Sequence, residues 1–232
     1  MIIMEGYNYE SLSSAIKFED ITYFKSNQDI LRRLKENDID KLWICNEETT
    51  DGDKRDYIPD NDEDDMGWLG YFIGNNTSLK EFHFLTLAMN NIEHLCRGIN
   101  NNLLMEQIGF THGITTLEGN IFGMLDQFFK NNHKLTKFVV EDCELGTHDV
   151  RHLSVALGSC NKSLKCICVK DNEIGDGQQV EILLALSMHP QLEKIDLSRM
   201  NVGRNECTAL ATLLHNTTKQ LQTLNLDGNN ID

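Results

Sequence analysis

An internal repeat of 28 or 29 residues constrains the fold of this chain more than any other feature. Five positions of each unit, at offsets 0, 3, 5, 8 and 10, carry mostly apolar residues. The clearest sets are Leu135, Phe138, Val140, Cys143, Leu145; Leu164, Ile167, Val169, Asn172, Ile174; Leu192, Ile195, Leu197, Met200, Val202; and Leu221, Leu224, Leu226, Asn229, Ile231. Periods of roughly 20–50 residues are typical of solenoids and related arrays. The repeat therefore predicts stacked units that share one continuous core.

A second apolar pattern lies between these segments and predicts one helix in each unit. Its spacing of i, i+3 and i+4 is that of a single buried helix face. The sets are Leu69, Phe72, Ile73; Leu95, Gly98, Ile99; Leu125, Phe128, Phe129; Leu153, Ala156, Leu157; Ile182, Ala185, Leu186; and Leu210, Leu213, Leu214. An unrelated α/β domain would not repeat strand and helix patterns in phase. Each unit is therefore predicted to contain a strand, a turn, a helix and a return.

The repeat weakens toward the N-terminus. The earlier units begin at Ile39, Leu79 and Met105, which gives about seven repeat starts over residues 39–232, the last one incomplete. Residues 1–38 precede the repeats, and the pattern from Ser26 to Leu34 predicts a capped helix there. We interpret residues 1–38 as a segment that caps the open end of the core, because terminal repeats need such covers.

The repeated positions resemble the leucine-rich repeat, whose consensus is Leu-x-x-Leu-x-Leu-x-x-Asn/Cys-x-Leu. The ribonuclease-inhibitor subtype of that family alternates Cys and Asn at the eighth offset, and Cys143 and Asn172 follow this alternation. Met200, Leu87 and Gly113 depart from it. The resemblance covers about residues 39–232. It implies an α/β fold, a right-handed solenoid or horseshoe with parallel strands on the concave face and helices on the convex face.

The alternation of side chains along a strand selects candidate binding residues. Offsets 3 and 5 are predicted to point into the core, so offsets 2, 4 and 6 point to the concave face. The partner-binding candidates at these offsets are Lys41, Trp43, Glu81, His83, Lys137, Glu141, Lys170, Lys194, Asp196 and Asp227. Cys45, Gly109, Val139, Cys166 and Cys168 occupy the same offsets. Trp43 and His83 are the predicted anchors, because aromatic side chains commonly dominate interface energy.

The net charge of −15 is unevenly distributed. Residues 47–65 contain ten acidic and two basic side chains, so this segment alone carries −8. The first two repeat starts are 40 residues apart, and we interpret residues 47–65 as an acidic loop inserted after the first strand. The overall acidity argues against a nucleic acid or an anionic membrane as the partner, because both attract clustered Lys and Arg.

Catalytic and metal-binding patterns are weak in this sequence. The alternating Asp60, Asp62 and Asp64 do not form an EF-hand, since its required Gly and Glu positions hold Asp65 and Tyr71. His148 and His152 have no evident third ligand. No phosphate-binding, dinucleotide-binding or nucleophile motif is present. We therefore predict that the protein is not an enzyme and needs no cofactor or metal.

The sequence favours a noncatalytic protein-binding scaffold that uses the concave sheet. Two alternatives remain open: a regulator similar to the Ran GTPase-activating proteins, which also carry an acidic segment, and the sensing fragment of a larger receptor. The chain stops just after a strand, which favours a fragment of a longer solenoid over end-to-end self-association at the C-terminal edge. Seven cysteines without a secretory signal predict reduced thiols and a cytoplasmic or nuclear location.

Overall fold

The computed structural model describes residues 9–45, 56–59, 63–85, 92–112, 121–172, 174–175, 177–217 and 219–231. Its strands form one sheet in which every pair is parallel. The strands are β1 (Lys41–Ile44), β2 (Asp56–Tyr57), β3 (Glu81–Leu85), β4 (Gln107–Thr111), β5 (Lys137–Glu141), β6 (Cys166–Cys168), β7 (Lys194–Asp196) and β8 (Thr223–Asn225). Their order across the sheet is β2-β1-β3-β4-β5-β6-β7-β8. The α/β solenoid predicted from the repeat is therefore confirmed.

Helices precede β1 and connect the strands from β2 onward. They are α1 (Tyr9–Leu12), α2 (Lys25–Glu36), α3 (Glu63–Asn75), α4 (Ile92–Asn101), α5 (Ile121–Met124), α6 (Asp126–Asn131), α7 (Thr147–Ser159), α8 (Gln179–Leu186) and α9 (Cys207–Thr217). Short 3-10 turns lie at Phe18–Asp20 and Arg204–Glu206. Within the described ranges, no helix combines the length and the apolar composition that are needed to cross a bilayer.

The core lies between the sheet and the helices. From β1 to β7 the offset-3 and offset-5 residues of each unit are buried there, as the repeat predicts, together with the predicted helix faces from α3 to α8. In the last unit Leu214, Leu224 and Leu226 are only partly buried. Aromatic rings dominate the N-terminal units, where Phe84 and Phe110 of neighbouring strands stack with centroids 4.9 Å apart. Aliphatic residues such as Ile167 and Ile195 take over farther along the chain. The shared burial makes the units one hydrophobic core rather than separate modules.

Glycines permit a very close approach between helices α3 and α4. A Cβ atom added at Gly98 would lie 1.9 Å from the carbonyl oxygen of Gly70, and one added at Gly70 would lie 2.5 Å from the carbonyl oxygen of His94. Because these neighbours are backbone atoms, no side-chain rotation can relieve the overlap. The two helices therefore touch backbone to backbone, which only residues without a side chain allow.

Buried polar residues connect consecutive units. Asn172 donates to the carbonyls of Val140 and Lys170 and accepts a hydrogen bond from the N–H of Cys143 (2.9 Å). Asn229 makes equivalent bonds two units later. Cys143, Asn172, Met200 and Asn229 occupy offset 8 of successive units and form a ladder across the strands. Met200 has no polar side chain for this ladder, and the buried amide of Gln179 donates to the Met200 carbonyl instead.

A second ladder of buried amides precedes the strands and was not predicted. Asn76, Asn102 and Asn132 each lie three residues before a strand-starting position and are buried. Each donates to a carbonyl of an earlier segment, as Asn132 does to Met105 (2.9 Å). Each also accepts from backbone N–H groups just ahead of the strand. These amides satisfy backbone groups at turns that would otherwise be buried without partners.

The acidic segment is described only in part. Residues 46–55 and 60–62 lie outside the described ranges, whereas β2 pairs with the outer edge of β1 and α3 begins at Glu63. Asn27 of α2 clamps the chain after β2: its Oδ1 accepts the N–H of Ile58 (3.1 Å), and its Nδ2 donates to the Ile58 carbonyl. Residues 56–57 of the segment thus form a strand and residues 63–65 begin a helix, and its interpretation as an inserted acidic loop stays a prediction.

Helix α2 lies at the N-terminal end of the core and buries Ile30, Leu31 and Leu34. The helix predicted from the pattern Ser26 to Leu34 is present, but the predicted cap is absent. The helix begins at Lys25 after Phe24 and has no side-chain cap. The residue at the cap position is Phe24, whose side chain cannot accept a hydrogen bond, while Asn27 is buried and bonds to the chain after β2. The division into a cap at 1–38 and repeats at 39–232 stays a prediction, and residues 1–8 and Asp232 lie outside the described residues.

Candidate partner-binding face

The parallel register brings the candidate residues into rows that cross the strands on the face opposite the core. The first row is Lys41, Glu81, Gln107, Lys137, Cys166, Lys194 and Thr223. The middle row is Trp43, His83, Gly109, Val139, Cys168, Asp196 and Asn225. The third row is Leu85, Thr111 and Glu141, which Lys170 joins through an ion pair. We call this surface the strand face.

The candidate residues differ in exposure. Lys194 and Asp227 are exposed, the latter beyond the end of β8, and the other eight candidates are half-buried. Cys45 was expected on this face and is instead buried, at 3% exposure. The reason is β2, whose Tyr57 carbonyl accepts the N–H of Cys45 (3.1 Å) and covers this edge of the sheet.

Two aromatic rings stand side by side at the β1–β3 end of the middle row. The rings of Trp43 and His83 are nearly parallel, with an interplanar angle of 14° and centroids 5.5 Å apart. His83 leans over Gly109 of the next strand, where a Cβ atom would lie only 2.2 Å from its Nδ1. Gln107 fixes the ring from the other side, with 2.8 Å between its Nε2 and the His83 Nε2. The missing side chain of Gly109 therefore determines where His83 lies.

His83 is held in its neutral form at physiological pH. Burial lowers the pKa of His83 to about 4, and the positive charges of Lys137 and Lys41 add to this effect, while Glu81 opposes it. A neutral imidazole stacks on Trp43 without a charge to desolvate. The middle row continues with Gly109, Val139 and Cys168, so its first five positions carry no formal charge. Burial also raises the pKa of the Cys168 thiol to about 11.

Charges flank this row on both sides, and their pairing follows from the register. Lys41 lies beside Glu81 and bridges to it (2.9 Å). Lys170 bridges to Glu141 (2.6 Å), whose hydrogen bond raises the pKa of Lys170. Lys137 and Lys194 have only Gln107, Cys166 and Thr223 as neighbours in their row. Among the residues that the structure describes, neither lysine forms an ion pair.

The carboxylate of Asp196 is engaged mainly by the turn that follows its own strand. Its Oδ1 accepts hydrogen bonds from the N–H and the hydroxyl of Ser198, at 3.0 and 2.7 Å. Its Oδ2 accepts a bond from the side chain of Asn225 (3.3 Å). Asp196 therefore shapes the turn after β7 in addition to facing the surface.

A rim of left-handed residues borders the strand face and was missed by the sequence analysis. His112, Asp142, Asp171 and Arg199 have φ between 52° and 57°, and Gly228 has φ of 71°. His112 Nδ1 lies 3.0 Å from Asp142 Oδ2, and Arg199 bonds to Asp171, which lowers the pKa of that carboxyl. All five occupy offset 7 of their units, one position before the ladder residue. This constant position is the signal that could have revealed the rim.

The described residues contain no cluster of three or more His, Cys, Asp or Glu side chains suited to a metal ion. Cys166 and Cys168 are half-buried thiols on the strand face. His148 is exposed and His152 is half-buried on α7. Asp60 and Asp62 lie outside the described ranges, so the acidic alternation there is untested.

Comparisons with known proteins give limited information. No protein-family model and no curated protein matches the sequence. Among solved structures, the chain is similar to the tropomodulin C-terminal domain from Caenorhabditis elegans, with 9% sequence identity and a TM-score of 0.42. The match covers 83% of this chain and 93% of that chain. Similarity at this level assigns no family, partner or activity to the protein.

Proposed function

We propose that the protein is a noncatalytic scaffold that binds a partner protein through the strand face. The observation that carries the proposal is the order of the rows: an uncharged middle row from Trp43 to Cys168 lies between rows that contain Lys and Glu. Protein interfaces have this organisation, with an apolar centre from which water is excluded and a polar rim.

The Trp43–His83 pair supplies the anchor of the proposed interface. Both side chains are half-buried before any partner binds, and His83 is held by Gln107 and by its position over Gly109. Ordering a mobile side chain on binding costs about 0.5–1.5 kcal/mol. Because these rings are already ordered, much of that cost falls on folding and not on association.

The finer assignments from the sequence belong to the same proposal. The ladder bonds of Cys143, Asn172 and Asn229 support the ribonuclease-inhibitor-like subtype of leucine-rich repeat. We propose a capping segment at 1–38, repeats over 39–232 and an acidic insertion within 47–65. The seven free thiols, four of them buried, support a cytoplasmic or nuclear location.

Affinity capture with matched charge reversals tests the proposal. One variant replaces Lys137, Lys170 and Lys194 by Glu on the strand face. The control replaces Arg97, Lys130 and Arg151 by Glu; these lie on helices and are exposed. The two variants have the same net charge. We expect the strand-face variant to lose the captured partner and the control to retain it.

The residue Trp43 gives an uncharged second test. Trp43→Ala should reduce capture at least tenfold, since interface anchors of this kind contribute about 2 kcal/mol or more. Circular dichroism would verify that each variant is folded. Equal capture by the helix and strand-face variants, with no effect of Trp43→Ala, would refute the proposal.

The acidic segment needs a separate variant. Deleting residues 50–64 would remove Tyr57, which is fully buried in the edge strand. Replacing Glu47, Glu48, Asp51 and Asp53 by their amides removes charge and leaves β2 intact. If this variant still captures the partner, binding does not need these four charges and is attributed to the strand face alone.

A further inference from the structure

Two lysines of the first row carry charge that the described part of the protein does not neutralise. Lys41 and Lys170 each have an acidic neighbour in an adjacent strand and form ion pairs with it. Lys137 and Lys194 flank the uncharged Cys166, and neither makes an ion pair with a described residue. Surface cations without partners are complementary to carboxylates on another molecule.

The spacing of these lysines restricts the secondary structure of the partner. β5 and β7 are two strands apart, which is about 10 Å at the usual distance between strands. In an extended peptide, side chains on one face recur every two residues, at distances of about 7 and 13 Å. Each of these distances differs by about 3 Å from the separation of the two lysines. In a helix, residues i and i+7 lie about 10.5 Å apart on one face. The helical spacing agrees to within about 1 Å.

The Trp43–His83 pair lies farther across the strands in the same direction as the line from Lys194 to Lys137. Trp43 on β1 is three strands from Lys137 on β5, or about 14 Å. Ten or eleven helical residues span about 15–17 Å, and eleven residues return to nearly the same helix face. A single helix lying across the strands therefore reaches both lysines with two acids and the Trp43–His83 pair with one apolar side chain.

We propose that the docking segment of the partner is an acidic amphipathic helix that crosses the strand face from β1 to β7. Two carboxylates seven residues apart bind Lys137 and Lys194, and an apolar side chain about eleven residues from the first carboxylate packs on Trp43. This inference rests on the proposed scaffold function and specifies the chemistry of its partner.

The net charge of −15 does not prevent this contact. At physiological ionic strength, interactions between exposed charges fall off beyond about 8 Å. The segment 47–65, which carries −8, follows β1 in the sequence, and β1 itself is three strands from β5. At the centre of the strand face, Lys137 and Lys194 therefore attract carboxylates in spite of the negative net charge.

Fluorescence anisotropy with synthetic helical peptides tests the inference. The probe is an alanine-rich, hydrocarbon-stapled peptide with leucine at its third position and glutamate at its fourteenth and twenty-first positions. One control peptide has glutamine at both acidic positions. A second control moves the last glutamate to the nineteenth position, which points about 140° away from the first. We expect only the first peptide to show the full affinity for the 232-residue chain.

Protein variants complete the test. Lys137→Glu and Lys194→Glu should each weaken binding of the glutamate peptide about fivefold, the scale of an exposed ion pair replaced by a repulsion. A peptide with lysine at the two positions should bind the double variant better than the glutamate peptide does. Lys130→Glu on α6 is the matched control and should leave the affinity within about twofold.

Two results would overturn the acidic helix. They are equal affinity of the glutamate and glutamine peptides, and unchanged affinity in both single-lysine variants. If partner capture still depends on Trp43, the scaffold function stands and only the helix is rejected. If capture also ignores the strand face, the scaffold function fails as well.

Discussion

Gly109 is the most direct test of how the strand face is built. Replacing it by Ala places a methyl group 2.2 Å from the Nδ1 and 2.7 Å from the Cε1 of His83. The backbone of Gly109 is not in the left-handed region, so alanine fits there without backbone strain. The side chain of His83 can rotate away, and we expect it to move rather than the strand.

The expected cost follows from the contacts that His83 loses. The hydrogen bond to Gln107 contributes about 0.5–1.5 kcal/mol, and the stacked ring pair with Trp43 contributes about 0.5–1.5 kcal/mol. Replacing glycine by alanine returns about 0.4–1 kcal/mol by restricting the unfolded chain. The balance is a destabilisation of about 1 kcal/mol. The pKa of His83 should rise from about 4 toward 6.5 as the ring leaves its buried position.

Urea denaturation and an NMR titration of the His83 ring measure the two effects separately. Gly158→Ala is the matched control, because its nearest neighbour outside the helix is the sulfur of Met188 at 3.9 Å. Gly158 lies in the last turn of α7, where this change should stabilise the protein by up to about 1 kcal/mol. An unchanged His83 pKa, with both alanine variants equally stable, would refute the role assigned to Gly109.

Three further predictions concern the core and the pH dependence. Gly98→Ala should lower the free energy of unfolding by about 3 kcal/mol, because its Cβ meets the backbone of Gly70 at 1.9 Å; a urea midpoint close to that of the wild type would contradict the helix contact. Asn172→Ala should cost about 3 kcal/mol, since three buried backbone groups lose their partner, whereas the exposed Asn131→Ala should change stability by less than about 0.5 kcal/mol. His83 binds protons more weakly in the folded state, so its stabilising effect is complete above pH 6.5 and is lost as the pH falls toward 4, by at most about 3 kcal/mol. Urea midpoints measured from pH 7 to 4 should therefore fall less steeply for His83→Gln than for the wild type, and parallel curves would exclude this contribution.

The solenoid could be predicted because its information is repeated. Each unit places apolar residues at the same offsets, so an irregular unit such as the one containing Gly113 does not obscure the period. The helix faces are predictable for the same reason. The strand β2 could not be found in this way, because two residues are too few to show alternation. Its position depends on Asn27, which is 31 residues away from Ile58 in the sequence.

The asparagine ladder carried a signal in the sequence that the apolar consensus does not include. Asn76, Asn102 and Asn132 each precede an apolar strand start by three residues, and Asn161 has the same spacing to Leu164. Asn161 differs in the structure: it is half-buried, and its amide contacts His133. The spacing therefore indicates the position of the ladder, while burial at each unit determines whether the amide is part of it.

The rows of the strand face could also be predicted, since equal offsets become neighbours in a parallel sheet. What alternation cannot give is the direction in which a side chain leans. His83 tilts toward β4 because Gly109 leaves space there, and that tilt brings it to Gln107. Likewise, Asp196 has the offset of a surface residue, yet its carboxylate closes the turn onto Ser198. Both outcomes depend on which residue occupies the neighbouring strand or turn.

At the rim, offset 7 of each unit, backbone strain opposes the ion pairs that the side chains form. The left-handed backbone there favours glycine, and Gly228 is the residue that fits without strain. His112, Asp142, Asp171 and Arg199 occupy the same conformation with side chains, so each is strained. Their exposed pairs across neighbouring units are screened by water and stabilise the fold little. Backbone strain and charge pairing therefore act in opposite directions at these positions, and the sequence keeps side chains where glycine would fit the backbone without strain.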